Sequence, residues 1–190
     1  GRLPVGLEVS FGRELDEEVE ALAHAEPIMI PIGDRLALRV GGRIDRIDQV
    51  APGKFEIVDY KTGGYFEDDW RGTFAGGTRL QHALYAVAAA ELLEQKYGRA
   101  SVTGGVYYFS SARGRQERVT IATPPAAALR AVLGTLREII ASGTFVHAAA
   151  ESACKWCDFG NACGTDVFRR AGNKLGDKKL ATYLRLTQHD

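Results

Sequence analysis

The segment from Gly41 to Gly63, GGRIDRIDQVAPGKFEIVDYKTG, constrains this chain more than any other. Charges alternate with β-branched and aromatic residues on both sides of Ala51-Pro52-Gly53, so it reads as two strands joined by a tight turn. A turn centred near Pro52 sets Asp59 opposite Asp45 and Lys61 opposite Arg43. The strand period of two then puts Asp45, Asp59 and Lys61 on one face. Two carboxylates opposed across a strand pair lie roughly 5 Å apart and repel. A divalent cation between them reverses the sign, because aspartate oxygens are what Mg²⁺ or Mn²⁺ takes as ligands, together with waters and a substrate phosphate. Lys61 then points at that phosphate or at an attacking water. The other reading of Asp-x-Lys is a solvated strand face. Against it stand the surrounding Ile, Val, Phe and Tyr, among which an unpaired charge is costly.

The remainder reads as one α/β domain, long enough at 190 residues to bury a sizeable core. Strands are expected at Val5–Phe11, at Pro27–Ile32 and Arg35–Val40 (a hairpin feeding the central pair), and at Val102–Ser111 with Arg118–Ala122 as its partner. Helical spacing covers Leu80–Tyr97, stopped by Gly98, and a second helix runs from Pro124-Pro125 to Gly143. Glu14-Leu15-Asp16-Glu17-Glu18 reads as a solvated turn or short helix. Arg46 and Asp48 alternate onto the face opposite Asp45 and read as an ion pair that braces the sheet. Glu8 is the only acid of the first strand and either faces the site or pairs in solvent.

Two stretches beside the central strands remain open to two readings each. Tyr65–Thr78 is a loop in which Trp70 and Arg71 either meet a nucleotide by stacking and charge or, for Trp70, simply pin the loop. The tip Ala112-Arg113-Gly114-Arg115-Gln116 is either a solvated hairpin end or a phosphate contact. In the first long helix Gln81 and Tyr85, four apart, share a face, and His82 turns away from them.

Lys+Arg and Asp+Glu both number 24, so overall charge does not announce a nucleic-acid binder, and phosphate contacts must come from local patches. The clearest patch is Phe168–Leu186, with Arg169, Arg170, Lys174, Lys178, Lys179 and Arg185 against Asp177. It reads equally as a surface for DNA or a partner subunit and as a solvated helix. No apolar run approaches the roughly 20 residues that span a bilayer. Three cysteines argue against a disulfide scaffold and for a reducing, cytoplasmic setting. They stand as Cys154-Lys-Trp-Cys157-Asp-Phe-Gly-Asn-Ala-Cys163, where Cys-x2-Cys is a metal-type spacing that a third cysteine extends. Zinc with His147 or an outside ligand is one reading, and buried free thiols are another.

The pattern Gly-x-Ile-Asp-Arg-x-Asp, a turn, then Ile-Val-Asp-Tyr-Lys-Thr-Gly resembles the nuclease domains of the RecB and AddB family, within the PD-(D/E)XK nuclease superfamily. Gln81-His-Ala-Leu-Tyr85 is similar to that family's Gln-x-x-x-Tyr motif, placed as the family places it. The resemblance implies a restriction-endonuclease-like fold, a mixed and largely antiparallel central sheet flanked by helices. It also implies Mg²⁺- or Mn²⁺-dependent hydrolysis of DNA, with Asp45, Asp59 and the Tyr60 carbonyl on the metal. Lys61 acts at the water or the developing charge, and Gln81 and Tyr85 line the cleft. Cys154, Cys157 and Cys163 resemble the carboxy-terminal cysteines of the iron–sulfur nucleases of the AddB type, whose 4Fe-4S cluster takes its fourth cysteine from upstream of the core. The upstream helix that supplies another metal-site residue in that family does not precede Val5. The chain therefore reads as an amino-terminally incomplete nuclease core over 1–150, with a cysteine cluster and basic tail over 151–190. The implied setting is a helicase–nuclease that processes DNA ends for recombinational repair beside an ATP-driven motor. The rival reading is a catalytically silent DNA-binding or scaffolding module of the same fold.

Overall fold

A computed structural model describes residues 1–14, 20–146, 154, 157–164 and 166–190. The acidic run beyond Glu14, and His147, lie outside the described residues. Among the described residues seven strands form two sheets: β1 (Leu3–Phe11), β2 (Ile28–Gly33), β3 (Leu36–Val40), β4 (Gly42–Ala51), β5 (Lys54–Lys61), β6 (Ser101–Phe109) and β7 (Arg118–Ala122). The central sheet has the order β1-β4-β5-β6-β7. All its neighbours are antiparallel except β5 and β6, which run parallel. A parallel pair needs a long crossover, and helix α1 (Gln81–Tyr97) lies between the two strands in the chain. The sheet is thus mixed, with helices packed against it, as the family resemblance implies. The hairpin β2–β3 does not join it and forms a two-stranded sheet of its own. Its inward residues Ile28 and Ile30 nevertheless enter the main core.

The central hairpin forms at the expected turn. Ala51 pairs with Lys54 across Pro52-Gly53, and Gly53 takes the positive φ of +68° that glycine adopts without strain. The ladder Gln49↔Phe55, Asp48↔Glu56, Ile47↔Ile57, Arg46↔Val58 keeps the register that, carried one step further, sets Asp45 beside Asp59. The ladder ends at Arg46↔Val58, so the expected opposition of Arg43 and Lys61 is not formed. From there β4 stays with β1, where Arg43 pairs with Ser10, and β5 stays with β6, where Lys61 pairs with Phe109.

Helix α1 presents small residues to the sheet, with Ala83, Ala86, Ala88 and Ala89 all buried. Its first turn sits closest at β6. A Cβ on Gly105 would come 2.6 Å from the Cβ of His82, so only glycine lets the helix start there. That contact fixes where Gln81 stands over β5. The second long helix, α2 (Ala126–Ser142), buries Leu129, Val132, Leu133 and Ile139 and ends at Gly143 in the left-handed conformation. The segment after Asp166 packs against α2 and the loop before α1. Arg185 pairs with Glu138, and the Gly76 N–H donates to the His189 carbonyl at 2.8 Å. Among the described residues no helix is long and apolar enough to cross a membrane.

Candidate active site

Strand alternation and the parallel register of β5 and β6 assemble a row of side chains at the end of the central ladder. Asp59 and Tyr107 are register partners, and so are Lys61 and Phe109. Neighbours in a parallel ladder share a face, so an acid and a base on β5 stand beside two aromatic rings on β6. The Lys61 ammonium lies 2.5 Å from Asp59 Oδ2 and 5.3 Å from the centre of the Tyr107 ring. It also donates to Gln81 Oε1 at 3.2 Å. Asp59, Lys61 and Gln81 therefore meet directly, from strand and helix.

Asp45 joins them from β4. Its Oδ2 accepts the Tyr60 backbone N–H at 2.9 Å, so a side chain takes the place of the missing ladder partner. Asp45 is close enough to Asp59 to disfavour its charge. Burial is the larger cause, and together they hold the Asp59 carboxyl above the usual aspartate range, against the lowering pull of Lys61 and Gln81. Asp59 Oδ2 is out of water and accepts no well-directed hydrogen bond, although the ammonium touches it. A partly desolvated carboxylate beside a second one is a donor set that suits a hard divalent cation. Asp45 and Asp59 could hold one, and among the described residues no group of three or more His, Cys, Asp or Glu side chains gathers.

Tyr85 reaches the same region from one turn further along α1. Its hydroxyl stands over Gly42, where a Cβ would lie 3.0 Å away, and its ring meets Phe11 edge-on at 5.8 Å. Ile57, Asp59, Gln81, Tyr85, Tyr107 and His82 line one small cavity. His82 is therefore beneath the site rather than turned away from it. It is 2% exposed, its Nε2 has no partner among the described residues, and its Nδ1 is 3.3 Å from the Tyr107 hydroxyl. Burial, with Arg79 nearby, pushes its pKa down to about 4, so the ring is neutral at physiological pH. Burial likewise pushes the Tyr107 phenol up to about 12.

An open cleft of about 400 Å³ extends from Lys61 and Gln81 under the loop that precedes α1, past Trp70, Arg79, Tyr107 and Phe109. Trp70 packs at 4.6 Å on Tyr107 and 5.2 Å on Phe109, which is the loop-pinning arrangement, while Arg71 pairs with Asp68 at 2.7 Å. The tip that follows β6 folds back to the rim of this cleft. Ser111 Oγ donates to the Gly63 carbonyl at 3.2 Å, and the Arg115 guanidinium lies 5.7 Å from the centre of the Tyr65 ring.

Other charged residues are accounted for away from the cluster. Arg46 and Asp48 form a two-pronged pair at 2.6 and 2.9 Å, with Asp48 wholly buried. That pairing and the Tyr60 hydroxyl hold the Arg46 pKa above its ordinary value. Glu8 pairs with Arg43 at 2.9 Å in solvent. The cysteines do not form a visible site: Cys157 is exposed, and Cys154 and Cys163 are half-buried free thiols. The Cys157 N–H donates to the Cys154 carbonyl, so a turn does join the first two. Within the basic tail Arg169 pairs with Asp166 and Arg170 donates to the Cys163 carbonyl.

Sequence reasoning did not find Tyr107, Phe109 or Arg79. Their proximity depends on the parallel pairing of β5 with β6 across α1, which no local spacing encodes. The sequence profile of the PD-(D/E)XK nuclease superfamily matches residues 1–164. No curated protein matches the chain.

Proposed function

The chain belongs to the PD-(D/E)XK nuclease superfamily, and from that premise we propose that it is a divalent-metal-dependent deoxyribonuclease whose working groups are Asp45, Asp59, Lys61, Gln81 and Tyr85. The observation that carries this reading is the meeting of Asp59, Lys61 and Gln81 beside Asp45, with Lys61 and Gln81 also lining a cleft. Asp45 and Asp59 would hold Mg²⁺ or Mn²⁺ through their carboxylate oxygens, with the Tyr60 carbonyl as a further ligand in the family resemblance. The chemistry such a cation would supply there is Lewis acidity toward water and phosphate oxygens.

The chain's own groups do the rest. Lys61 is held between Asp59 and Gln81, so its ammonium stays at the phosphate position without freezing a loose side chain. From there it orients the attacking water or neutralises the charge that builds on the phosphate oxygens. Gln81 holds Lys61 through its Oε1 and turns its amide toward Asp59, while Tyr85 lines the wall toward β4. Tyr107 and Phe109 keep water from one side of the ammonium, which strengthens its field.

The finer reading rests on the sequence resemblance. We infer a RecB/AddB-type domain that acts with a helicase domain or partner subunit in DNA end processing. The three cysteines are read as ligands of a 4Fe-4S cluster with a structural role. Their spacing supports this, although among the described residues they do not gather into a metal-holding group, and with three cysteines in the sequence a fourth thiolate would come from outside it.

The test is Mg²⁺- or Mn²⁺-dependent degradation of labelled DNA by the chain, alone and extended at its amino terminus. Cleavage that disappears in Asp59→Ala and Lys61→Ala supports the nuclease. DNA binding without cleavage by the extended form favours the scaffold reading instead.

A further inference from the structure

Arg79 stands in the cleft and is used by none of the chemistry above. Its guanidinium stacks on Trp70 at 4.8 Å. Its Nη1 donates to the carbonyls of Arg71 at 3.2 Å and Gly72 at 2.8 Å, and its Nη2 to that of Asp69. None of these acceptors is a carboxylate. Three of the five guanidinium N–H donors are thereby used, and Nε–H with the second Nη2 hydrogen has no partner among the described residues. Those two atoms belong to the edge of the fork that matches two oxygens of one phosphate. Burial disfavours the charge of Arg79 more than the nearby Tyr107, Asp190 and Asp69 favour it, so an anion at that edge would relieve a standing cost.

The position is equally specific. Arg79 lines the cleft that Lys61 and Gln81 open, two residues before Gln81 in the chain. The cleft volume of about 400 Å³ falls in the small-molecule range of roughly 300–1,000 Å³, room for about one nucleotide. Trp70 itself is not a free stacking platform, since its ring already contacts Tyr107, Phe109 and Arg79. The cation is what the cleft offers.

We propose that Arg79 is a phosphate-binding residue that grips the backbone phosphate next to the scissile one and so sets which bond lies over Asp59. The proposal rests on the nuclease reading for its scissile phosphate. A single backbone contact of this kind is worth about tenfold in binding and about one unit in the slope of log K against log salt.

The experiment is fluorescence anisotropy of a short labelled oligonucleotide with the whole chain in EDTA, so that cleavage plays no part. Neutral methylphosphonate linkages are placed one at a time along the strand. One linkage should weaken binding about tenfold, Arg79→Gln should weaken binding to the unmodified strand by as much and lower the salt slope by about 1, and the two losses should not add. Sensitivity at no single linkage in the unmutated chain overturns the proposal without using any variant. So does an Arg79→Gln loss that persists at every neutralised linkage, because that loss comes from loop support alone. Either result, with DNA still bound, leaves the hydrolytic reading standing. Absence of all DNA binding overturns both.

Discussion

The backbone N–H of Tyr60 donates to the Asp45 carboxylate at 2.9 Å, across two strands whose ladder has already ended at Arg46 and Val58. One side chain thus replaces a lost backbone acceptor and is delivered beside Asp59. The strand split and the pairing of acids are a single arrangement.

This double use separates two substitutions. Asp45→Asn keeps an acceptor for the Tyr60 N–H but drops the charge, so the melting temperature should stay close to that of the unmutated protein while nuclease activity falls at least about a hundredfold. Asp45→Ala should lose the activity and about 1 kcal/mol of stability as well. Thermal melts in parallel with a cleavage assay read both.

The raised Asp59 pKa makes a claim about stability. The folded state holds this proton more tightly than the unfolded chain, so folding stability falls as pH rises from the ordinary aspartate value through the folded one, and the loss persists above it. Asp59→Asn should therefore melt higher than the unmutated chain at pH 7 in EDTA, with the advantage vanishing near pH 4. A lower melting temperature at pH 7 would count against a desolvated carboxylate.

His82 carries the opposite sign. Its folded pKa of about 4 lies below the ordinary 6.5, so the unfolded chain binds the proton first and stability drops as pH falls through that interval. His82→Leu should flatten the decline of melting temperature between pH 6.5 and 4.

Gly105→Ala tests how α1 is seated. The new Cβ must move His82, 2.6 Å away, and with it the start of the helix. A cost of about 1–3 kcal/mol is expected. A larger proportional loss in activity should accompany it, because Gln81 leaves Lys61; unchanged activity would mean that Gln81 needs no such placement.

Much of this site is legible in the sequence, for physical reasons that differ by residue. Asp45, Asp59 and Lys61 can be read because a Pro-Gly turn sets the register of a hairpin and period-two alternation does the rest. That Gln81 and Tyr85 share a face follows from helical spacing, and their place beside the strand of Asp59 is what the family resemblance implies. The Arg46–Asp48 pair follows from alternation as well, and its full burial is what spacing cannot foretell. Tyr107 is illegible, since its place beside Asp59 comes from a parallel pairing closed across a 17-residue helix. His82 is misread for a related reason: helical phase sets it apart from Gln81 and Tyr85, yet it packs on Gly105 and Tyr107 and lines the same small cavity as both. The β2–β3 hairpin is legible as a pair that runs into β4, while its separation as a two-stranded sheet is not, because nothing local says which edge a hairpin joins.

The joint hold of Asp45 and Asp59 on a divalent cation is what the proposed hydrolysis of DNA stands on. Its most direct test is Mn²⁺ titration calorimetry of the unmutated chain, Asp45→Asn and Asp59→Asn, run with cleavage of labelled DNA by the same preparations. Binding and Mn²⁺-dependent cleavage are expected in the unmutated chain, with both lost together in each variant. Cleavage at the unmutated rate by either variant, or Mn²⁺ binding unchanged in both, would contradict it.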